Sequence, residues 1–119
     1  MQFVMLIYQG TTPRPGTDAW AALAEAEQRA IDADDAALNQ VPGLTPGLPL
    51  GRAENATTVR VDNGATLTSD GPFVDVKGAV GGYFVVEADD IDAAVEVAAR
   101  VRAARHGGAI EVRPVGTYW

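Results

Sequence analysis

The sequence predicts an α+β domain built from two β-α-β units, with an antiparallel sheet and two helices on one face. Three patterns predict it. The runs "QFVMLIY" (2–8) and "YFVVEA" (83–88) are apolar without alternation and rich in β-branched and aromatic residues, which is strand composition at strand length. Segments 18–40 and 90–105 repeat apolar residues at three-and-four spacing, which is helical. Segments 57–69 and 109–115 alternate, as strands with one wet face do.

Taken in order, "QFVMLIY" is the first strand, and "QGTTPRPG" breaks it with Pro13, Pro15 and Gly16. Thr17 suits the N-cap of a long helix over 18–40, whose predicted apolar stripe is Trp20, Leu23, Ala26, Ala30, Ala33 and Ala37. "VPGLTPGLPLG" (41–51) reads as a long exposed connection, because proline and glycine punctuate it. "ATTVRVDNGATLTS" predicts a hairpin with strands near 57–62 and 65–69, since Asn63-Gly64 fits the two central positions of a type I′ turn. Asp70-Gly71-Pro72 ends the hairpin, and Gly81-Gly82 opens the next strand. Asp89 is the expected N-cap of the second helix, with Ile91, Ala94, Val95, Ala98 and Val101 as its buried stripe. Arg100, Arg102 and Arg105 sit near its C-terminal end, where the helix dipole favours cations, and Gly107-Gly108 stops it. "AIEVRPV" is the last strand.

This order, β-α-β-β-β-α-β, is the split pattern of ferredoxin-like sandwiches. Right-handed crossovers put the two non-alternating strands at the centre and the alternating ones at the edges. Two helices cover only one face of such a sheet, yet the central strands are apolar on both. A second copy of the sheet covering the other face, in a closed homodimer, is the expected solution; the alternative is the 41–55 loop folded across it.

The totals exclude several classes. The chain has 119 residues, enough for one domain spanning 1–119 with its own core. There is no cysteine, which rules out disulfides and thiolate metal sites, and the single histidine, His106, cannot make a histidine-rich centre. A net charge of −7 argues against a broad nucleic-acid surface. No apolar run is long enough to span a membrane, and the N-terminus lacks a signal-peptide pattern, so a cytoplasmic protein is expected.

The stretch "SDGPFVDVKGAVGGYFVVEADDIDAA", followed by "GGAIEVRPV", closely resembles the DGPF-domain branch of the YCII-related family. The start "QFVMLIYQG" and the segment "ENATTVRVDNGATLTSDGPF" follow that family's order, and the resemblance is weakest over 10–52. It implies a dimeric ferredoxin-like α+β barrel. It carries over Asp70, Gly71, Pro72 and Phe73 as the signature, then Lys77, Gly81, Gly82 and Tyr83. Asp75, Val76 and Gly78 depart from the glutamate, threonine and glutamate common in the branch, which puts an acidic-cluster role there in doubt. Other branches resemble enzymes built on a His-Asp pair; the 18–40 helix has no histidine, so that chemistry is not transferred. The resemblance also implies a regulatory association with an extracytoplasmic-function sigma factor.

The candidate residues each carry two readings. Asp70 is a general acid or base at a barrel mouth, or a turn residue capping backbone N–H groups. Lys77, the only lysine, binds a small anionic ligand or anchors its own loop through Asp70 or Asp75. Arg60 faces away from Val59 and Val61, towards solvent or towards the cavity. Tyr8 and Tyr83 offer hydroxyls to a ligand or sit at the core's edge. His106 reads as a helix cap rather than a catalyst, and "DADD" at 32–35 as a solvated face rather than a cation site. Phe73 is expected to plug the core and hold the turn so that Lys77 hangs beside the inter-sheet space. The function expected is a cofactor-independent enzyme using proton transfer by Asp70 and Lys77, with no metal. The alternatives are a ligand-binding or regulatory module, and a structural dimer without a ligand.

Overall fold

A computed structural model of the chain describes residues 1–74 and 80–116. The strands are β1 (Gln2–Tyr8), β2 (Leu44–Thr45), β3 (Thr57–Asp62), β4 (Ala65–Asp70), β5 (Val80–Glu87) and β6 (Ala109–Pro114). The helices are α1 (Asp18–Ala21), α2 (Glu25–Leu38), α3 (Ile91–Ala98) and α4 (Arg102–Arg105), with a 3₁₀ turn at Ala53–Asn55.

β2, β5, β1 and β6 form one antiparallel sheet in that order, so the two non-alternating strands are central as expected. Side chains alternate across a strand. Phe3 and Met5 of β1 and Phe84 and Val86 of β5 therefore point to one face, where Leu38, Ala94, Ala98 and Val101 close over them. Burying each of the largest of these, Phe3, Met5 and Val86, stabilises the fold by roughly 1.5–3 kcal/mol. The opposite face carries Val4, Leu6, Tyr8, Tyr83 and Val85, with Glu111 and Arg113 on β6, and no helix packs on it. The 41–55 segment does not cross that face. It runs along the free edge of β5, where Leu44 and Thr45 pair with Val86 and Val85, Pro49 bridges to Gly82, and the Leu50 N–H donates to the Gly81 carbonyl at 2.9 Å.

That strap overturns one expectation. The hairpin β3–β4 was placed at the sheet's edge, but the strap already fills the edge of β5, and the hairpin stands apart as its own two-stranded sheet. Its turn is as read: Asn63 and Gly64 both have positive φ, 50° and 78°. The strap itself is a correction too, since part of the stretch taken for an irregular connection is strand β2.

Both long helices are interrupted. Thr17 caps α1, its hydroxyl accepting the Trp20 N–H at 3.3 Å. The chain turns extended at Ala24, and Gln28 bridges the break by donating to the Trp20 carbonyl at 2.8 Å. The break resets the helical phase, so Ile31 and Leu38 are buried while Ala26, Ala30, Ala33 and Ala37 lie exposed. In the second segment the cap is Asp90, one residue later than expected, accepting the Ala93 N–H at 2.8 Å. Val101 is extended and buried there, which separates α3 from α4 and leaves Ile91 and Val95 half-exposed instead of in the core. His106 is the C-cap of α4, and Gly107 follows at φ 106°.

Candidate functional site

The strap lies close on β5 because Gly47 has no side chain: a Cβ there would fall 1.9 Å from the Tyr83 carbonyl oxygen. Beneath the strap is a cleft of about 440 Å³ on the helix side of the sheet. Ile7 and Phe84 form its floor, Leu44 and Leu48 of the strap one wall, and Leu38 and Val101 the other. A second chamber of about 640 Å³ opens from it towards Gly16, Arg52 and Val80, and the two share Gln9, Arg14 and Gly81. An apolar chamber with few polar groups at its mouth is the usual form of a small-molecule site.

Four groups set the electrostatics. Arg102 is mostly buried, stacked 5.0 Å from the Trp20 ring centre, and paired with Asp35 and, at 3.3 Å, with Asp32. Arg105 pairs with Asp34 at 2.8 Å. The "DADD" segment thus receives the arginines of α4, and Arg102 and Arg105 ion-pair across the helices instead of serving a helix dipole of their own. Arg52 pairs with Glu54 at 3.3 Å. Arg14 makes no ion pair among the described residues. Its backbone is nonetheless fixed, because the Thr17 hydroxyl donates to its carbonyl at 2.6 Å and accepts its N–H at 3.2 Å. Nearby Thr12 is buried and donates its hydroxyl to the Gln9 carbonyl. Arg14 is thereby a held cation with an uncommitted head, on the wall of both chambers.

The sequence model of the YCII-related domain matches residues 1–118. The chain belongs to the YCII-related family. No curated protein matches it. In this YCII-related chain the residues singled out from the sequence do not converge. Tyr83 borders the first chamber, but its side chain is on the sheet's open face with Leu6, as is that of Tyr8 at the end of β1. Arg60 and Asp70 are on the hairpin, away from both chambers. No described residue donates a hydrogen bond to the Asp70 carboxylate, so the turn is held otherwise. Gly71, at φ 94°, donates its N–H to Ala56 at 2.7 Å and accepts the Thr58 hydroxyl at 2.7 Å. Lys77 and Asp75 lie outside the described residues.

Phe73 is a correction. It was expected in the core and is instead 70% exposed, with the Arg60 guanidinium 5.6 Å from its ring centre. It follows a hairpin that never reaches the core, so no core position is within its reach. Sequence reasoning missed Arg14, Gln9 and the strap. The signal was the Pro/Gly-rich 41–51 stretch itself, since a long connection in a small domain is often a binding element. Among the described residues no three His, Cys, Asp or Glu side chains gather as a metal-ligand set, and no helix is long and apolar enough to cross a membrane.

Proposed function

We propose that the protein is a homodimeric binding module for a small amphipathic anion, such as an organic carboxylate with an apolar body. What supports this is the cleft: a largely apolar chamber of about 440 Å³ whose Asp35 is neutralised by Arg102, leaving Arg14 as the wall's cation without an ion pair among the described residues, with Gln9 and Asn39 also on the lining. The apolar part would sit between Ile7, Phe84 and Leu48, and the carboxylate would meet Arg14, whose planar fork matches that group. The homodimer reading is supported by the open face, where Val4, Leu6 and Val85 have no helix packed on them among the described residues. A ligand sensor of this kind also suits the sigma-factor partnership that the family resemblance implies.

The test is a screen of aliphatic and aromatic carboxylates by thermal shift, followed by calorimetry on any that bind. Arg14→Gln is expected to weaken binding by roughly tenfold or more, the scale of one charged hydrogen-bonded contact, without changing the melting temperature. Binding that is indifferent to Arg14, or no binding across the series, overturns the reading.

Cofactor-independent proton transfer is the second reading. Lys77 stands three residues before Val80, which lines the second chamber, and three extended residues reach roughly 10 Å. In that reading a bound carboxylate turns over, Lys77→Met lowers kcat, and Arg14→Gln raises KM; Asp70, away from both chambers, takes no part.

A further inference from the structure

The hairpin β3–β4 exposes Val59, Val61 and Leu67. Among the described residues its strands pair only with each other. One of its faces carries Val59 and Val61 opposite Thr68 and Thr66, and the other carries Arg60, Asp62 and Leu67. Val59 and Val61 are 59% and 69% exposed. A lone two-stranded ribbon is marginal in water, and the base of this one is closed by bonds between its own two ends, Gly71 to Ala56 and Thr58 to Gly71.

Two dimensions indicate what covers it. The Cα trace measures 55 × 38 × 18 Å, and 18 Å is the thickness of one sheet plus one helix layer. The arm therefore prolongs the plate sideways and does not fold over its own open face. The radius of gyration, 16.5 Å, exceeds the roughly 13.5 Å of a compact chain of this length. The second dimension is area. Over a length of about six residues the open face is three strands wide, β5, β1 and β6, since β2 has only two residues; that is roughly 15 × 20 Å, or about 300 Å² in projection. Each partner of a standard interface contributes about 800 Å². The arm face is roughly 10 × 20 Å in projection. Under a two-fold axis each chain gives one arm and receives one. That exchange supplies much of the area the sheet face lacks.

We propose that the arm reaches across to a second copy of this chain and buries its Val59–Val61 face there, leaving Arg60 and Leu67 outward. This rests on the homodimer reading above and says which element holds the dimer. The net charge of −7 disfavours a nucleic acid as the occupant.

Sedimentation equilibrium on three proteins tests it: wild type, Val59→Asp/Val61→Asp and Leu67→Asp. All three positions are exposed in the single chain, so circular dichroism should show the same fold in each. The valine double variant is expected to raise the dimer dissociation constant roughly tenfold or more, and Leu67→Asp to change it less than about threefold. A dimer indifferent to the valine pair overturns the arm proposal and leaves the homodimer standing. Equal weakening by both variants overturns the choice of face. A monomeric wild type overturns both readings, and so does a wild type whose arm is covered only by a different protein. As a second measurement, the Val59 and Val61 amides should exchange slowly at dimer concentrations and quickly on dilution; equal rates at both count against the arm.

Discussion

Two β-structures in this molecule use similar residues and end in opposite states. In β1 and β5, Phe3, Met5 and Val86 are almost wholly buried; in β3 and β4, Val59, Val61 and Leu67 stand in solvent. β-propensity does not separate them, since both are rich in β-branched or aromatic residues. The difference is cover. α2 and α3 fold back over one face of the main sheet, and the strap takes the edge of β5. With β2 on that edge, the hairpin has no place beside β5. A strand's composition therefore says that it needs a partner, and the competition for edges says whether its own chain provides one.

The largest expected effect lies in the body. Phe3→Ala should destabilise the fold by about 3–5 kcal/mol, as for other buried phenylalanines, because helices on one side and strands on the other cannot collapse into the gap. Chemical denaturation of the two variants Phe3→Ala and Phe73→Ala gives the contrast directly. Comparable losses would mean that the arm is as much part of the core as β1, and the distinction between body and arm would fail.

Gly47→Ala comes next. The new Cβ would lie 1.9 Å from the Tyr83 carbonyl oxygen, so the strap has to lift from β5. Overpacking of this kind costs roughly 1–3 kcal/mol. It should also open the cleft and weaken any carboxylate that binds there. A variant with wild-type stability and wild-type affinity would show that the strap is not held where β2 places it.

How far the sequence carried this picture depends on locality. The strands, the type I′ turn at Asn63-Gly64 and the central position of β1 and β5 were legible, because periodicity and turn chemistry are local. Thr17 as a cap was legible for the same reason. The helix breaks at Ala24 and Val101 were not, because alanine-rich stretches carry no punctuation there and only packing decides. The consequence was concrete: Ala26, Ala30, Ala33 and Ala37 were expected inside, and Ile31 and Leu38 took their place. The role of the 32–35 aspartates was equally hidden. Their partners, Arg102 and Arg105, are some seventy residues away in sequence. Arg14 was not legible, since nothing near it in sequence marks the cleft that it lines.

Arg102→Met tests the long-range part of the body. The substitution keeps the aliphatic stem but removes the stacking on Trp20 and the pairs to Asp32 and Asp35. Cation–π contact and partly shielded ion pairs together suggest a loss of about 1–2 kcal/mol. The loss should shrink at high salt, since the pair to Asp32 is exposed. A salt-independent loss would assign the effect to packing of the stem alone.

The smallest expected effect belongs to the arm and returns to the Asp-Gly-Pro-Phe signature. Phe73 is 70% exposed, so truncating it removes little burial, and its contact with Arg60 is an exposed cation–π pair of about 0.5–1 kcal/mol at most. The pair joins two parts of the arm and not the arm to the body. Phe73→Ala should therefore change global stability by less than about 0.5 kcal/mol while speeding amide exchange in β3 and β4. Gly71→Ala is the informative companion. Its backbone at φ 94° resists a side chain, and its N–H and carbonyl close the hairpin's base on Ala56 and Thr58. It should loosen the arm more than Phe73→Ala does, again with little change in the body. If Phe73→Ala instead unfolds the protein cooperatively, the ring is buried in the assembled dimer, and the arm is structurally part of the fold as soon as two chains meet.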